Sequence, residues 1–332
     1  MYEFLEKRIF SFLKNIIAKA MKYEPWQSYY TRRLVKMKFP LIIKWAITDK
    51  CNFTCKHCYR SERHEEITKE ESDIIIEELS KNKIACVALT GGEPLIAKEF
   101  AYIVKKLNEK KINTEIATNG YLISEDTIRL FKENNIQTLQ ISLEGPDAKT
   151  NDFIRGEGTY NIVVKSIKAL RNAGINVILA NTLNHYNCML SDKMVKLAEK
   201  LNVSALRFEI YIPVRYDKYN LNLTTEDLAY IQQKFDMYSR KKNIILPSYH
   251  DGNNCGAGKY MAMINSDMTI SPCDLLCDEI KSSQQISQES SIKKIWQDDV
   301  VLEEWRKHEY KGCAVVEKKC KIDKKYFEGV YM

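Results

Sequence analysis

From residue 41 the chain alternates short apolar runs with longer stretches whose apolar residues recur every three to four positions. The runs LIIKWAIT (41–48), IACVALT (84–90), NTEIAT (113–118), QTLQIS (137–142), INVILANT (175–182) and SALRFEIYI (204–212) read as strands. The spacing predicts helices over 68–82, 97–110, 124–134, 159–173 and 190–200. One more is predicted over 224–241, with Thr224 or Thr225 as its cap. Strand and helix in alternation imply an α/β fold with a parallel sheet and right-handed crossovers. Six such strands make a partial (β/α)6 TIM-like barrel. In such folds ligands gather at the C-terminal ends of the strands. The segments CNFTCKHC, TGGEP, TNG and SLEG all fall at those ends.

The pattern differs at both termini. Residues 2–22 read as a basic amphipathic helix, with Leu5, Ile9, Phe12, Ile16 and Ala20 at helical spacing and Lys7, Arg8, Lys14 and Lys19 between them. It is either docked on the body of the protein or a membrane-surface or partner-binding helix. Beyond 250 come turns, short strands, a helix near 291–306 and five of the ten cysteines. The expected organisation is an N-terminal extension over 1–40, a core over 41–218, a connecting helix within 219–250, and a small C-terminal α+β domain over 251–332.

Composition narrows this little: 332 residues, 45% hydrophobic and 29% charged, suit an ordinary globular chain. No apolar run approaches the roughly 18 residues that span a bilayer. No export signal is legible, which points to the cytoplasm, with a membrane-peripheral setting left open by the N-terminal helix. The net charge is +7, but residues 1–40 hold nine Lys/Arg against three Asp/Glu. The body is therefore nearly neutral, which argues against a nucleic-acid groove. In a reducing compartment clustered cysteines usually bind metal, whereas Cys86 and Cys188, set in apolar stretches, read as small buried hydrophobes.

Cys51, Cys55 and Cys58 stand in a C-x3-C-x2-C loop. Three thiolates can hold three irons of a 4Fe–4S cubane and leave the fourth iron open. The spacing alone also admits a zinc knuckle with a distant fourth ligand.

With the motifs that follow it, CNFTCKHC resembles the radical SAM superfamily over roughly residues 41–215. The resemblance implies that the open iron binds S-adenosylmethionine and that the reduced cluster cleaves it to methionine and a 5′-deoxyadenosyl radical. His57 then fills the usually aromatic place near the adenine. Gly91, Gly92 and Glu93 match the motif that meets the methionine amino group. Asn119 and Gly120, Ser142 and Glu144, and Arg155 match positions lining the ribose and the methionine carboxylate.

The tail resembles an auxiliary-cluster domain of the SPASM or Twitch type. It carries CGAG (255–258), SPC (271–273), IW (295–296), Cys313 and Cys320. The resemblance implies one auxiliary 4Fe–4S cluster on Cys255, Cys273, Cys313 and Cys320. Cys277 is then a spare and a hydrogen-atom donor to a substrate radical, or it replaces Cys320. Two features depart from the family pattern: Met268 stands where a glycine is usual, and the last two cysteines lie farther apart. Family members with such tails mostly modify ribosomally made peptides; others act on tetrapyrroles, including haem, or on other small molecules. The expected partners are a peptide or small-molecule substrate, an electron donor such as flavodoxin or ferredoxin, and a separate leader-peptide-binding protein. The different-class alternative is a non-catalytic iron–sulfur or zinc interaction protein.

Overall fold

The computed structural model describes residues 38–60, 65–214, 217–247, 256–307, 313 and 315. The N-terminal amphipathic helix over 2–22 lies outside the described residues, as do Cys255 and Cys320.

Six βα steps follow one another: β1 Ile42–Ala46, α1 Lys69–Lys81, β2 Cys86–Thr90, α2 Phe100–Glu109, β3 Thr114–Thr118, α3 Glu125–Glu133, β4 Thr138–Ser142. Next come α4 Ala148–Arg155, α5 Thr159–Asn172, β5 Asn176–Leu183, α6 Ser191–Lys200, β6 Ala205–Ile210 and α7 Thr225–Tyr238. The remaining elements are β7 Ile244–Ile245, β8 Met261–Ile264, β9 Ile270–Ser271, α8 Ile292–Asp298 and α9 Val300–Lys307. They form one sheet in the order β7-β6-β5-β4-β3-β2-β1-β8-β9, and every pair is parallel except β8 with β9.

Alternation along each strand sets the layers. Trp45, Leu89, Leu139, Leu179 and Phe208 point to the helices and are fully buried. Phe208 stacks on Tyr238 of α7 with ring centroids 5.6 Å apart. The opposite face carries Lys44, Glu115, Gln140, Arg207 and Glu209. The sheet curls so far that Glu209 on β6 lies within electrostatic reach of Lys44 on β1, with four strands between them. This is an unclosed barrel, with those polar side chains lining its lumen.

The C-terminal segment is joined to this barrel. β8 pairs in parallel with β1, matching Lys44 to Met263, and so extends the same sheet. Ile264, Ile270, Ile292 and Trp296 belong to the same apolar core as the barrel strands. The helix expected near 291–306 is two helices. Asp299 breaks it with extended backbone (φ −70°, ψ 126°), and its carboxylate caps α9 by accepting from the N–H of Val301 at 3.0 Å. Met268 has φ 64°, the left-handed conformation a glycine would take without strain, so the backbone bend persists although the residue differs.

Candidate functional site

The loop after β1 is fixed at both ends. Asp49 pairs with Arg60 beyond the third cysteine and accepts from Ser266 Oγ of the tail at 2.6 Å. Between these anchors lie Cys51, Cys55 and Cys58, with the Cys58 N–H donating to the Cys55 carbonyl at 3.0 Å. All three are free thiols; Cys51 and Cys58 are exposed and Cys55 is half-buried. Cys51 and Cys55 both lie within electrostatic reach of Cys58. Burial, followed by the opposing pull of Arg155 and the repulsion of Cys58 and Cys51, leaves the Cys55 thiol pushed up to about 11. Among the described residues no three His, Cys, Asp or Glu converge on a point suited to one metal ion. Three free thiolates on one loop are the soft donors that a 4Fe–4S cubane takes.

The GGE segment holds this loop from below. Gly92 N donates to the Thr48 carbonyl at 2.8 Å and Glu93 N to the Lys50 carbonyl at 2.9 Å. A Cβ on Gly91 would stand 2.2 Å from Thr48 O, and one on Gly92 2.2 Å from Lys50 O. Close backbone approach therefore demands both glycines. Glu93 is fully buried. Its Oε1 accepts from Thr118 Oγ1 at 2.6 Å and Leu95 N at 3.1 Å, and its Oε2 from Asn119 N at 2.7 Å. Burial pushes its carboxyl up despite these donors. One lone pair on Oε2 is left to accept from a ligand. Asn119 in turn donates from Nδ2 to Asn52 Oδ1 at 2.8 Å, tying the β3 end to the cysteine loop. Gly120 follows with φ 75° and turns the chain.

On the next two strands the partners are charged. Glu144 is buried, and its Oε1 accepts from Arg155 Nη2 at 2.7 Å and Nε at 3.3 Å, while Oε2 accepts from Thr182 N at 2.7 Å. Arg155 Nη1 lies 3.9 Å from Cys55 Sγ. His57 Nε2 is 3.5 Å from Glu144. That contact is not an ion pair at neutral pH. Burial, outweighing the attraction of Glu144 and aided by Arg155, pushes the His57 imidazole down to about 4. His57 Nδ1 is buried with no hydrogen-bond partner. Ser142 ends β4 on the lumen face.

The structure thus gathers Cys51, Cys55, Cys58, His57, Gly91, Gly92, Glu93, Asn119, Glu144 and Arg155 at the C-terminal strand ends. The sequence analysis misses the residues that hold them: Thr118, Asn52, Thr182 and Asn151. The Asn151 Oδ1 accepts from Glu144 N at 3.0 Å. For Thr118 and Thr182 the available signal is an adjacent Asn at the strand end, Asn119 and Asn181.

These observations fit the cofactors that the motifs imply. Three free thiols on one loop, an unpaired buried imidazole nitrogen, a spare carboxylate lone pair and a buried guanidinium suit a thiolate-held cluster with S-adenosylmethionine beside it. The radical SAM superfamily model matches residues 45–192. That span carries the cysteine loop and all of the strand-end motifs.

Among the relatives of this chain is the mycofactocin maturase MftC of Mycolicibacterium smegmatis, 24% identical over 298 residues, covering 83% of this chain and 75% of that one. The AdoMet-dependent heme synthase of Nitratidesulfovibrio vulgaris is 28% identical over 178 residues, 52% of this chain and 48% of the other. Streptococcus suis SuiB, solved bound to its precursor peptide SuiA, superposes with a TM-score of 0.72 at 18% identity, covering 85% of this chain and 70% of that chain. That likeness shows the shared fold. The superfamily implies one 4Fe–4S cluster and S-adenosylmethionine as cofactors.

The tail cysteines divide into two environments. Cys313 is buried with Ile212, Leu276 and Trp305, and Cys273 packs against that same cluster. Cys277 packs elsewhere, against Ala46, Met263 and Tyr59 on the barrel side. Burial pushes its thiol up to about 12, against the pull of Arg60. Cys188 is fully buried and donates to Asp227 Oδ1 at 3.2 Å, a structural cysteine as expected. Among the described residues no helix is long and apolar enough to cross a membrane.

Proposed function

We propose that this radical SAM enzyme modifies a ribosomally made peptide. The site's Arg155–Glu144–His57 network beside the three thiols carries the radical SAM part. The similarity to a maturase along 83% of this chain supports the peptide part. The match to a heme synthase extends over 52% of the chain, and a tetrapyrrole substrate is the less favoured reading.

Cys51, Cys55 and Cys58 hold the catalytic cluster. When bound, it supplies the electron that cleaves S-adenosylmethionine to methionine and a 5′-deoxyadenosyl radical, which takes a hydrogen atom from the substrate. The chain's own residues orient that cofactor. Glu93 Oε2 offers its remaining lone pair to the methionine ammonium. Arg155, a buried cation beside Cys55, faces the methionine carboxylate. Neutral His57 presents an unpaired ring nitrogen to the adenosyl half, and Ser142 and Asn119 border the ribose. Buried partners hold each group in place before the cofactor arrives, which lowers the cost of binding.

The tail is an auxiliary-cluster domain of the SPASM or Twitch type, with Cys273 and Cys313 as ligands beside Cys255 and Cys320. Their shared apolar packing favours this pairing, and the separate setting of Cys277 leaves it outside the ligand set. A flavodoxin or ferredoxin supplies electrons, and a separate protein presents the leader peptide.

The test is anaerobic reconstitution with dithionite and S-adenosylmethionine. Formation of 5′-deoxyadenosine is expected, and its absence from fully loaded protein would sink the enzyme reading. Supplying precursor peptides encoded beside the gene should then give a product of altered mass.

A further inference from the structure

The barrel lumen holds a set of charges that cofactor binding does not use. Lys44 Nζ pairs with Asp274 Oδ2 of the tail at 2.7 Å. Arg207 Nη1 donates to Gln140 Oε1 at 3.0 Å, while its Nε is buried without a partner. Glu115 and Glu209 share this lumen face, and among the described residues neither carboxylate accepts a hydrogen bond. Glu115 feels Arg207, and Glu209 feels both Arg207 and Lys44.

Two cations, Lys44 and Arg207, thus face three carboxylates, Asp274, Glu115 and Glu209. One carboxylate is in excess, and Glu209 is the one within electrostatic reach of both cations while held by no hydrogen bond among the described residues. Small side chains alternate with these groups around the barrel. Ala88 lies in register with both Lys44 and Glu115, Ala117 with Gln140, and Ala180 with Arg207.

We propose that Glu209 and Arg207 select the substrate: Glu209 takes an N–H donor of the entering group, and Arg207 Nε donates to a carbonyl beside it. The inference rests on the peptide reading above and names the kind of residue admitted. A neutral or cationic side chain, with lysine or arginine best, fills the shortage of donors. An anionic one meets an uncompensated carboxylate inside protein, where like charges repel strongly. Burial pushes both Glu115 and Glu209 up, against the pull of Arg207. A tetrapyrrole presenting several carboxylates fits this lumen poorly for the same reason.

The experiment uses the full reconstituted chain with S-adenosylmethionine. Three fluorescent, end-blocked alanine-rich peptides differ only in a central Lys, Gln or Glu, and coproporphyrin III serves as a polyanionic probe. Anisotropy should rank affinity as Lys, then Gln, then Glu, with Lys and Glu separated by about tenfold or more, equivalent to ~1.4 kcal/mol. Glu209→Gln, which preserves shape, should shrink that ratio to about threefold or less. Glu115→Gln should reduce it less, and iron content and melting confirm that both variants fold. If Glu209→Gln folds and keeps the full ratio, or if Glu209→Gln does not fold and Glu115→Gln keeps it, the selection proposal is overturned while the peptide reading stands. If no peptide binds, or coproporphyrin alone binds, both fall together.

Discussion

Arg155, the last residue of α4, holds Glu144 at the β4 exit with two N–H donors, Nη2 at 2.7 Å and Nε at 3.3 Å. Both side chains are buried, and Glu144 uses its other oxygen on Thr182 of β5. The pair thus joins two strand ends to the cysteine loop through the contact of Arg155 with Cys55. Removing one partner strands a buried charge, at a cost of about 3–5 kcal/mol. Arg155→Ala is expected to lower the unfolding free energy of the apoprotein, measured in urea, by that amount and to weaken S-adenosylmethionine binding. Arg155→Lys should recover part of the stability and little of the binding, because an ammonium lacks the two-pronged geometry. Equal binding by the Lys variant and the native chain would contradict this role.

Gly92→Ala places a methyl group 2.2 Å from Lys50 O and 2.6 Å from Asp49 O, both of them backbone atoms that cannot swing aside. These residues directly precede Cys51. Overpacking of this kind costs about 1–3 kcal/mol. The chain should still fold, but the cysteine loop must shift. Anaerobic reconstitution of Gly92→Ala is expected to lose the catalytic cluster, leaving about four of the eight irons that two 4Fe–4S clusters would hold. Normal iron content and normal 5′-deoxyadenosine formation would show that the strap tolerates the methyl group.

The barrel was legible because its information is local. Apolar alternation in strands and three-to-four spacing in helices placed β1 to β6 and α1 to α3 within a few residues of their observed ends. α4 escaped, since KTNDF offers little apolar periodicity and Pro146 suggests a turn. Its signal is Asp147, which accepts from Thr150 N at 2.9 Å and caps the helix. The split of the last predicted helix escaped for the opposite reason. Ile295, Trp296, Leu302 and Trp305 keep a helical spacing across a break made by one capping aspartate. The cysteine site was legible because thiolate spacing is itself chemistry. The lumen charges were not, because Lys44 and Asp274 are 230 residues apart and meet only when the sheet curls.

Asp227 makes part of the barrel's stability dependent on acid. It accepts from Thr224 N at 2.9 Å, His185 Nδ1 at 2.6 Å and Cys188 Sγ at 3.2 Å. Burial alone would raise its carboxyl, but the donors from Thr224, His185 and Cys188 outweigh burial and hold it below the usual carboxylate range. A carboxyl depressed in the folded state stabilises fully above its unfolded value of about 3.9, and that contribution fades as pH falls through the folded value. Asp227→Asn should therefore cost about 1–2 kcal/mol at neutral pH. Its stability should also fall less steeply than that of the native chain below about pH 4. Urea unfolding across that range decides it, and parallel pH curves would remove Asp227 from the account.

Cys273 and Cys313 share one apolar cluster, whereas Cys277 packs with Tyr59 next to the catalytic loop. If the first two hold an auxiliary cluster, Cys273→Ala and Cys313→Ala should each lower iron and sulfide from about eight to about four per chain. Both should still cleave S-adenosylmethionine, since the catalytic thiols lie on a different loop. Cys277→Ala should keep about eight irons and lose turnover only if its thiol delivers a hydrogen atom to the substrate radical. In that case the substrate radical would still form, so deuterium from solvent would no longer appear in product while 5′-deoxyadenosine continued to accumulate. Loss of iron from Cys277→Ala would instead make it the fourth ligand in place of Cys320. Its separation from Cys313 in the apolar packing makes that the less expected result.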